Sequence, residues 1–469
     1  MFESELLTQG FSTLLNNPQA LLFATFGVML GIVIGALPGL TATMGVAILL
    51  PFTYGMEPVS GLLMICGVFF GGVYGGSITA ILLKIPGTPA AAATAIDGYE
   101  LTKQGKAGLA LSAATFSSFS GGTLSIIVLM FLSPVLASWA LKFSASESFA
   151  LATFGLSIIA SISGESLIKG LIAGVGGLLI ATIGLDPMGG FPRFTGGFVE
   201  LMNVPFIPVM IGLFAASEAF RSMEQNQQIR QGAKVAIGMI PGAGADIAAF
   251  VAYNETRRFS KTPENFGKGE IKAVASCEAG ANGCTGGALL PMLTLGIPGD
   301  AVTAIMLGAL TLQGMQPGPL MFTDHGDMVY TLFVGMIFCY FMLLVLGLLS
   351  LKVIGNVVKI PGNILTPMIL ALCVVGTYAL NNSLFDVGIM LIAGVVGYFM
   401  QKGGYPASPV VLALIMGPMA ESNFRRALSL SGGSLDFLYT RPITLALLTL
   451  AAFTLLTPII RKIMRLRRQ

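Results

Sequence analysis

The sequence predicts an all-α polytopic membrane protein. It has about 10–12 spans, in two inverted repeats built on Gly/Pro-broken or re-entrant helices. Three observations lead there. Of 469 residues, 54% are hydrophobic and 10% charged, and mean hydropathy is +0.84; soluble domains carry about a quarter charged residues. Apolar runs close to the ~20-residue bilayer length recur along the chain. A set of Gly-Gly and Pro-Gly pairs occurs twice, in the same order.

The apolar runs are Ala20–Leu37, Thr123–Leu141, Leu167–Leu185, Val329–Leu351, Asn363–Leu380, Phe385–Met400 and Ile443–Ile460. None shows the alternation of a membrane barrel. The opening "MFESELL" is acidic, and the first run is too long for a signal core, so no cleaved leader is expected. The basic "RKIMRLRRQ" beside the last run is expected on the cytoplasmic side.

Several chemistries are disfavoured. The five cysteines have no metal-ligand spacing and read as small apolar packers. The single His325, in the polar "FTDHGDM", reads as a solvated loop residue rather than a proton relay. Neither Gly105-Lys106 nor Gly267-Lys268 continues into Ser or Thr, so there is no phosphate-binding Walker loop. An intramembrane enzyme would need an acid/base or metal set on facing spans, and one histidine outside them does not supply it. No catalytic residue, metal or cofactor is expected.

The duplication is concrete. "GALPGLTATMGVAILLP" (35–51) and "YGGSITAILLKIPGT" (74–88) are answered by "GMIPGAGADIAAFVAYN" (238–254) and "TGGALLPMLTLGIPGD" (285–300). Pro38-Gly39 pairs with Pro241-Gly242, Gly75-Gly76 with Gly286-Gly287, and Pro86-Gly87 with Pro298-Gly299. Loop charges then orient the copies. "TYGMEPVSG" has no basic residue, whereas "DGYELTKQGKAG" holds Lys103 and Lys106. In the second copy the inner connection "NETRRFSKTPENFGKGEIK" is basic and the following "QGMQPGPLMFTDHGDM" is not. Positive loops stay cytoplasmic, so equivalent loops are expected on opposite faces.

The breaks carry the functional reading. A broken helix frees N–H and C=O groups that lipid cannot satisfy, so it persists only inside protein or beside water. Glycine allows the dihedrals and proline stops the helix. Helix N-termini at such a break favour an anion, and freed carbonyls a cation. The candidate substrate-binding residues are therefore Pro38, Gly39, Thr41, Gly75, Gly76, Ser77, Lys84, Pro86, Gly87, Thr88, Pro241, Gly242, Gly244, Asn282, Thr285, Gly286, Gly287, Pro298 and Gly299. Lys84 pairs with a substrate carboxylate or with Asp300, or else snorkels to the boundary near Lys103. Asp246 and Asp300 are coupling-ion candidates or, equally, helix N-caps. Glu278 and Asn282, in "CEAGANGCTGG", suit a cavity wall or helix–helix glue.

At these residues the chain resembles the large membrane subunit of tripartite tricarboxylate transporters. "GALPGLTATMG", "YGGSITAILLKIPGTPAAAATAIDGYEL", "PGAGADIAAFVAYNETRRFSK" and "TGGALLPMLTLGIPGDAVTAIMLGALTLQGMQPGPLMF" carry the likeness. The resemblance implies a multi-pass subunit in the bacterial inner membrane that imports carboxylates on a proton or sodium gradient. It also implies two partners, a periplasmic solute-binding protein and a small membrane subunit. The family more often has Asn at Lys84 and a small or hydroxyl residue at Asp246 and Asp300. No hydrophilic stretch here is long enough for a capture domain, which fits an external partner. The expected organisation is a first repeat over 1–200, a shortened polar connection with one preceding span over 201–235, a second repeat over 236–400, and C-terminal spans with a basic tail over 401–469. Only Val235–Ile240 remains apolar before Pro241. A stand-alone ion-coupled carboxylate symporter and a passive channel are the alternatives.

Overall fold

A computed structural model of the chain describes residues 4–37, 40–157, 159, 166–202, 205–228, 245–350 and 362–466. They are helical almost throughout. The helices are α1 (Ser4–Leu15), α2 (Pro18–Ala36), α3 (Ala42–Leu49), α4 (Pro58–Leu83), α5 (Ala91–Lys103), α6 (Ala107–Ala140), α7 (Ala145–Ser157) and α8 (Leu167–Ala181). Next come α9 (Phe206–Ile211), which passes through a π-turn into α10 (Ser217–Gln228), then α11 (Ala245–Phe259), α12 (Ile271–Leu295) and α13 (Ala301–Leu312). The rest are α14 (Leu320–Asp324), α15 (Gly326–Ser350), α16 (Gly362–Asn381), α17 (Leu384–Lys402), α18 (Ser408–Leu430), α19 (Phe437–Thr440) and α20 (Pro442–Leu466). Among the described residues six helical stretches are long and apolar enough to cross a membrane: α2, α4, α6, Phe206–Glu224, α15 and α17. Each apolar run expected from the sequence falls mainly on a helix, although Leu167–Leu185 leaves its helix at Ala181 and ends in a β-ribbon.

One β-ribbon joins Gly184–Leu185 to Pro192–Arg193 after α8. Asp186 ties this connection to α18: it accepts N–H bonds from Gly189 (2.5 Å) and Met188 (3.0 Å) and pairs with Arg425 (2.7 Å). The Gly189 and Met188 N–H groups and the Arg425 guanidinium hold its pKa down to about 2.

The centre of the molecule is α4, which is buried along almost its whole length. It packs parallel to α2 through glycines spaced four apart on both helices. Gly27, Gly31 and Gly35 lie on the carbonyls of Met64, Val68 and Gly72, and Gly71 and Gly75 lie on those of Val28 and Ile32. A Cβ at Gly35 would stand 2.3 Å from Gly72 O. Small residues at this spacing let two backbones meet, and in a membrane that contact replaces the hydrophobic drive absent from lipid.

α4 and α12 run in opposite senses. Beyond the end of α4, Thr102 Oγ1 donates to Ile81 O (2.8 Å), while Gln104 Nε2 reaches Lys268 O (2.8 Å) just before α12. At the other end Gln313 Nε2 reaches Thr53 O (2.9 Å) ahead of α4, and Gly318 N–H reaches Leu293 O (3.1 Å) in the last turn of α12. The connections are shorter than the sequence indicated. "DGYELTK" belongs to α5, because Gly98 lets that helix pack on Ile81.

Candidate functional site

The two central helices end alike. Lys84 N–H bonds to Ala80 O and Ile85 N–H to Thr79 O; Gly296 N–H bonds to Met292 O and Ile297 N–H to Pro291 O. Both capping residues are left-handed, Lys84 at φ 59° and Gly296 at φ 70°. An offset of 212 residues, from Lys84 to Gly296, superposes every donor and acceptor in the two sets. That offset corrects the sequence pairing by one residue: Gly75 corresponds to Gly287, and Gly76 to Ala288.

The helices do not break at their Gly-Gly pairs. Gly75, Gly76, Gly286 and Gly287 all lie inside continuous helix. Their α-helical backbone bonds are satisfied, and at Gly75, Gly76 and Gly286 the missing Cβ admits a neighbour: Ile32 O, Thr88 and Ser125 respectively. Gly287 faces open space. The breaks begin at Lys84 and Gly296. After Lys84 the chain doubles back, and Gly87 N–H donates to Gly76 O (3.1 Å). A Cβ on Gly87 would lie 2.1 Å from Gly35 O, at the end of α2. Gly299 backs onto Ala288 in the same manner. Gly76 is seven residues from the end of α4, so α5 starts about 10 Å back from that end. Each elbow therefore folds a helix N-terminus into the protein.

Thr88, just ahead of α5, is buried on Gly76, and among the described residues its Oγ1 has no hydrogen-bond partner. The corresponding Asp300 is buried and caps α13. Its Oδ1 accepts from Thr303 N–H (2.8 Å) and Oγ1 (2.7 Å), and Asp300 N–H donates to Thr303 Oγ1 (2.9 Å). Thr41 caps α3 by accepting Met44 N–H (3.2 Å). The expected Lys84–Asp300 pair does not form. The left-handed cap throws Lys84 outward to an exposed position, where its Nζ lies 5.6 Å from the Tyr99 ring and Lys103 Nζ lies 5.0 Å from the same ring. This is the snorkelling alternative. Pro38, Gly39, Pro241, Gly242, Gly244 and Val235–Ile240 fall outside the described residues, and of Asp246 only the helical backbone is described.

Below the first elbow lies a residue that the sequence marked only as polar wall or glue. Glu278 on α12 is fully buried. Its Oε1 accepts Ser77 Oγ from α4 and Thr94 Oγ1 from α5, both at 2.5 Å, and its Oε2 accepts Ser118 Oγ from α6 at 3.1 Å. Four helices meet on one carboxyl. Among the described residues no cation pairs with it. One turn on, Asn282 Nδ2 donates to Glu278 O (3.2 Å), its Oδ1 has no partner among the described residues, and Thr285 shares a hydrogen bond with Tyr340 (2.6 Å). Among the predicted residues, Ser77 and Asn282 are thus gathered beside Glu278, with Thr88 packed on Gly76 next to Ser77.

Asp97 on α5 was also missed. Its carboxylate accepts Gly267, Gly269 and Glu270 N–H (2.8 Å each) and Tyr253 OH (3.0 Å), fastening the start of α12 to α5. The sequence signal for Glu278 was an acid inside a small-residue run. Asp97 had none, since it reads as part of a solvated loop.

Comparison with known proteins agrees with the resemblance. The model of the tripartite tricarboxylate transporter TctA family matches residues 21–412. An uncharacterized 52.8 kDa protein in the TAR-I ttuC' 3' region of Agrobacterium vitis is 35% identical, over 94% of this chain and 93% of its own. A second Agrobacterium vitis protein, uncharacterized and in the TAR-II ttuC' 3' region, is 34% identical over 46% of this chain and 88% of its own. No solved structure matches.

Proposed function

The chain belongs to the tripartite tricarboxylate transporter TctA family, and from that premise we propose that it is the large transmembrane subunit of a binding-protein-dependent secondary transporter. It imports tricarboxylates or related carboxylates into a bacterium across the inner membrane, driven by a proton or sodium gradient. A periplasmic solute-binding protein delivers the solute, and a small membrane subunit completes the assembly. The halves around α4 and α12 act as inverted repeats.

One observation carries this reading: two matching elbows, each turning a helix N-terminus into the interior. The N-terminus of α5 turns partial positive charge toward an anion, as helix breaks do in secondary transporters, whereas that of α13 is already capped by Asp300. Thr88 adds a buried hydroxyl without a partner. The opposed senses of α4 and α12 support the inverted arrangement, as do Lys84, Lys103 and Lys268 at the shared end. Alternating access then moves the elbow helices against the flanking α6 and α15.

Uptake of labelled citrate, succinate and benzoate into proteoliposomes, with and without a periplasmic fraction and the small subunit, tests it. Gradient-driven accumulation that requires the periplasmic fraction is expected. Accumulation by the chain alone would favour a stand-alone symporter. Flux that ignores both gradients would favour a passive channel.

A further inference from the structure

Glu278 is a costly polar group where it lies. A carboxylate in a dry interior without a counter-ion is strongly disfavoured, and hydrogen bonds from hydroxyls offset only part of that. Here the group is fully buried, belongs to no ion pair among the described residues, and is ringed by three hydroxyls from three other helices. Two of those hydroxyls crowd one oxygen at 2.5 Å. That separation is a direct O–H···O bond. The other oxygen has the longer 3.1 Å contact to Ser118, whose hydroxyl accepts as readily as it donates.

We propose that Glu278 is a proton-binding site: enclosed by Ser77, Thr94 and Ser118 it holds a proton on Oε2, and it surrenders that proton when this hydroxyl ring opens to water. Release breaks the Oε2–H bond, passes the proton to water, and leaves the carboxylate to the hydroxyl ring. The ionisable groups facing the site are few. α4 presents Tyr74, bonded to Thr115 (2.7 Å). α12 presents Cys277. α5 presents Asp97, saturated by N–H groups, with Tyr253 of α11 on it. α6 contains no ionisable side chain. None of them is a base positioned to compete for the proton. Coupling of this proton to solute movement rests on the transporter reading above; the binding site itself does not.

Infrared difference spectra of the purified full chain in lipid, titrated between about pH 5 and about pH 9, test the site without any transport assay. A protonated-carboxyl band at neutral pH is expected that shifts in D2O, disappears in Glu278→Gln, and moves in frequency in Ser118→Ala. If Glu278→Gln does not yield folded protein, the Ser118→Ala shift decides alone. Identical spectra for wild type and variant, or an unshifted band in Ser118→Ala, overturn the proposal. Loss of the band on adding NaCl but not choline chloride also overturns it, in favour of a sodium site. Absence of carboxylate uptake by the wild type would remove the transporter reading and leave the spectroscopic result standing.

Discussion

The two elbows share a backbone and differ in nearly everything attached to it. At the first, Leu83, Lys84 and Ile85 are exposed, and Thr88 is unpartnered. At the second, Gly296, Ile297 and Pro298 are buried, Asp300 closes a capping box, and Ile297 is packed by Gly155 of α7 and joined in one apolar cluster with Met416 of α18. One geometry thus ends in an exposed cap at the first elbow and in a buried, packed cap at the second. The helix after the first elbow is tied down farther along, where Asp97 of α5 accepts the Gly267, Gly269 and Glu270 N–H groups.

Corresponding positions offer direct ways to break this comparison. The largest contrast is Gly75→Ala against Gly287→Ala. A Cβ at Gly75 would meet Ile32 O at 2.5 Å, so unfolding in SDS-containing micelles should be eased by about 3 kcal/mol. Gly287 faces open space inside a helix, and its alanine variant should gain about 0.5–1 kcal/mol. Equal effects would mean that the two helices are not held as described.

Next is Asp300→Ala against Thr88→Ala. Loss of a buried N-cap should cost about 1–2 kcal/mol. Thr88 makes no bond to lose, so its alanine variant should stay within about 0.5 kcal/mol of wild type. Reconstituted uptake of the same carboxylate panel separates structure from function here: Thr88→Ala should lose uptake while keeping its stability. A Thr88 variant that is fully active would remove that hydroxyl from the solute site.

The smallest effect sharpens the match between the caps. A left-handed lysine costs about 1–2 kcal/mol, so Lys84→Gly should stabilise by about 1 kcal/mol. Lys84→Asn should recover part of that, because asparagine tolerates the same dihedrals. If Lys84→Gly lowered stability instead, the side chain would be making a contact beyond the Tyr99 ring.

Several elements were legible in the chain alone. Apolar runs of bilayer length located seven helices, because lipid imposes length and composition on whatever crosses it. The doubled Pro-Gly pattern located both elbows, because proline and glycine act through the backbone, and backbone rules are local. The Gly-Gly pairs were counted with the breaks as solute-binding candidates for the same reason: locally they weaken a helix, and only the close approach of Ile32 O to Gly75 and of Thr88 to Gly76 shows that they also serve packing. Burial was equally out of reach. Whether Lys84 faced an anion or water depended on the handedness of one cap. Whether Asp97 was a loop residue or a latch depended on the Gly267–Glu270 backbone arriving from far along the chain. The sequence by itself determined that this is a helical membrane protein with two glycine–proline elbows. Only the tertiary structure decided that Ser77, Thr94, Ser118 and Glu278 meet, since the energy of a buried carboxyl is set by neighbours that share no local pattern with it.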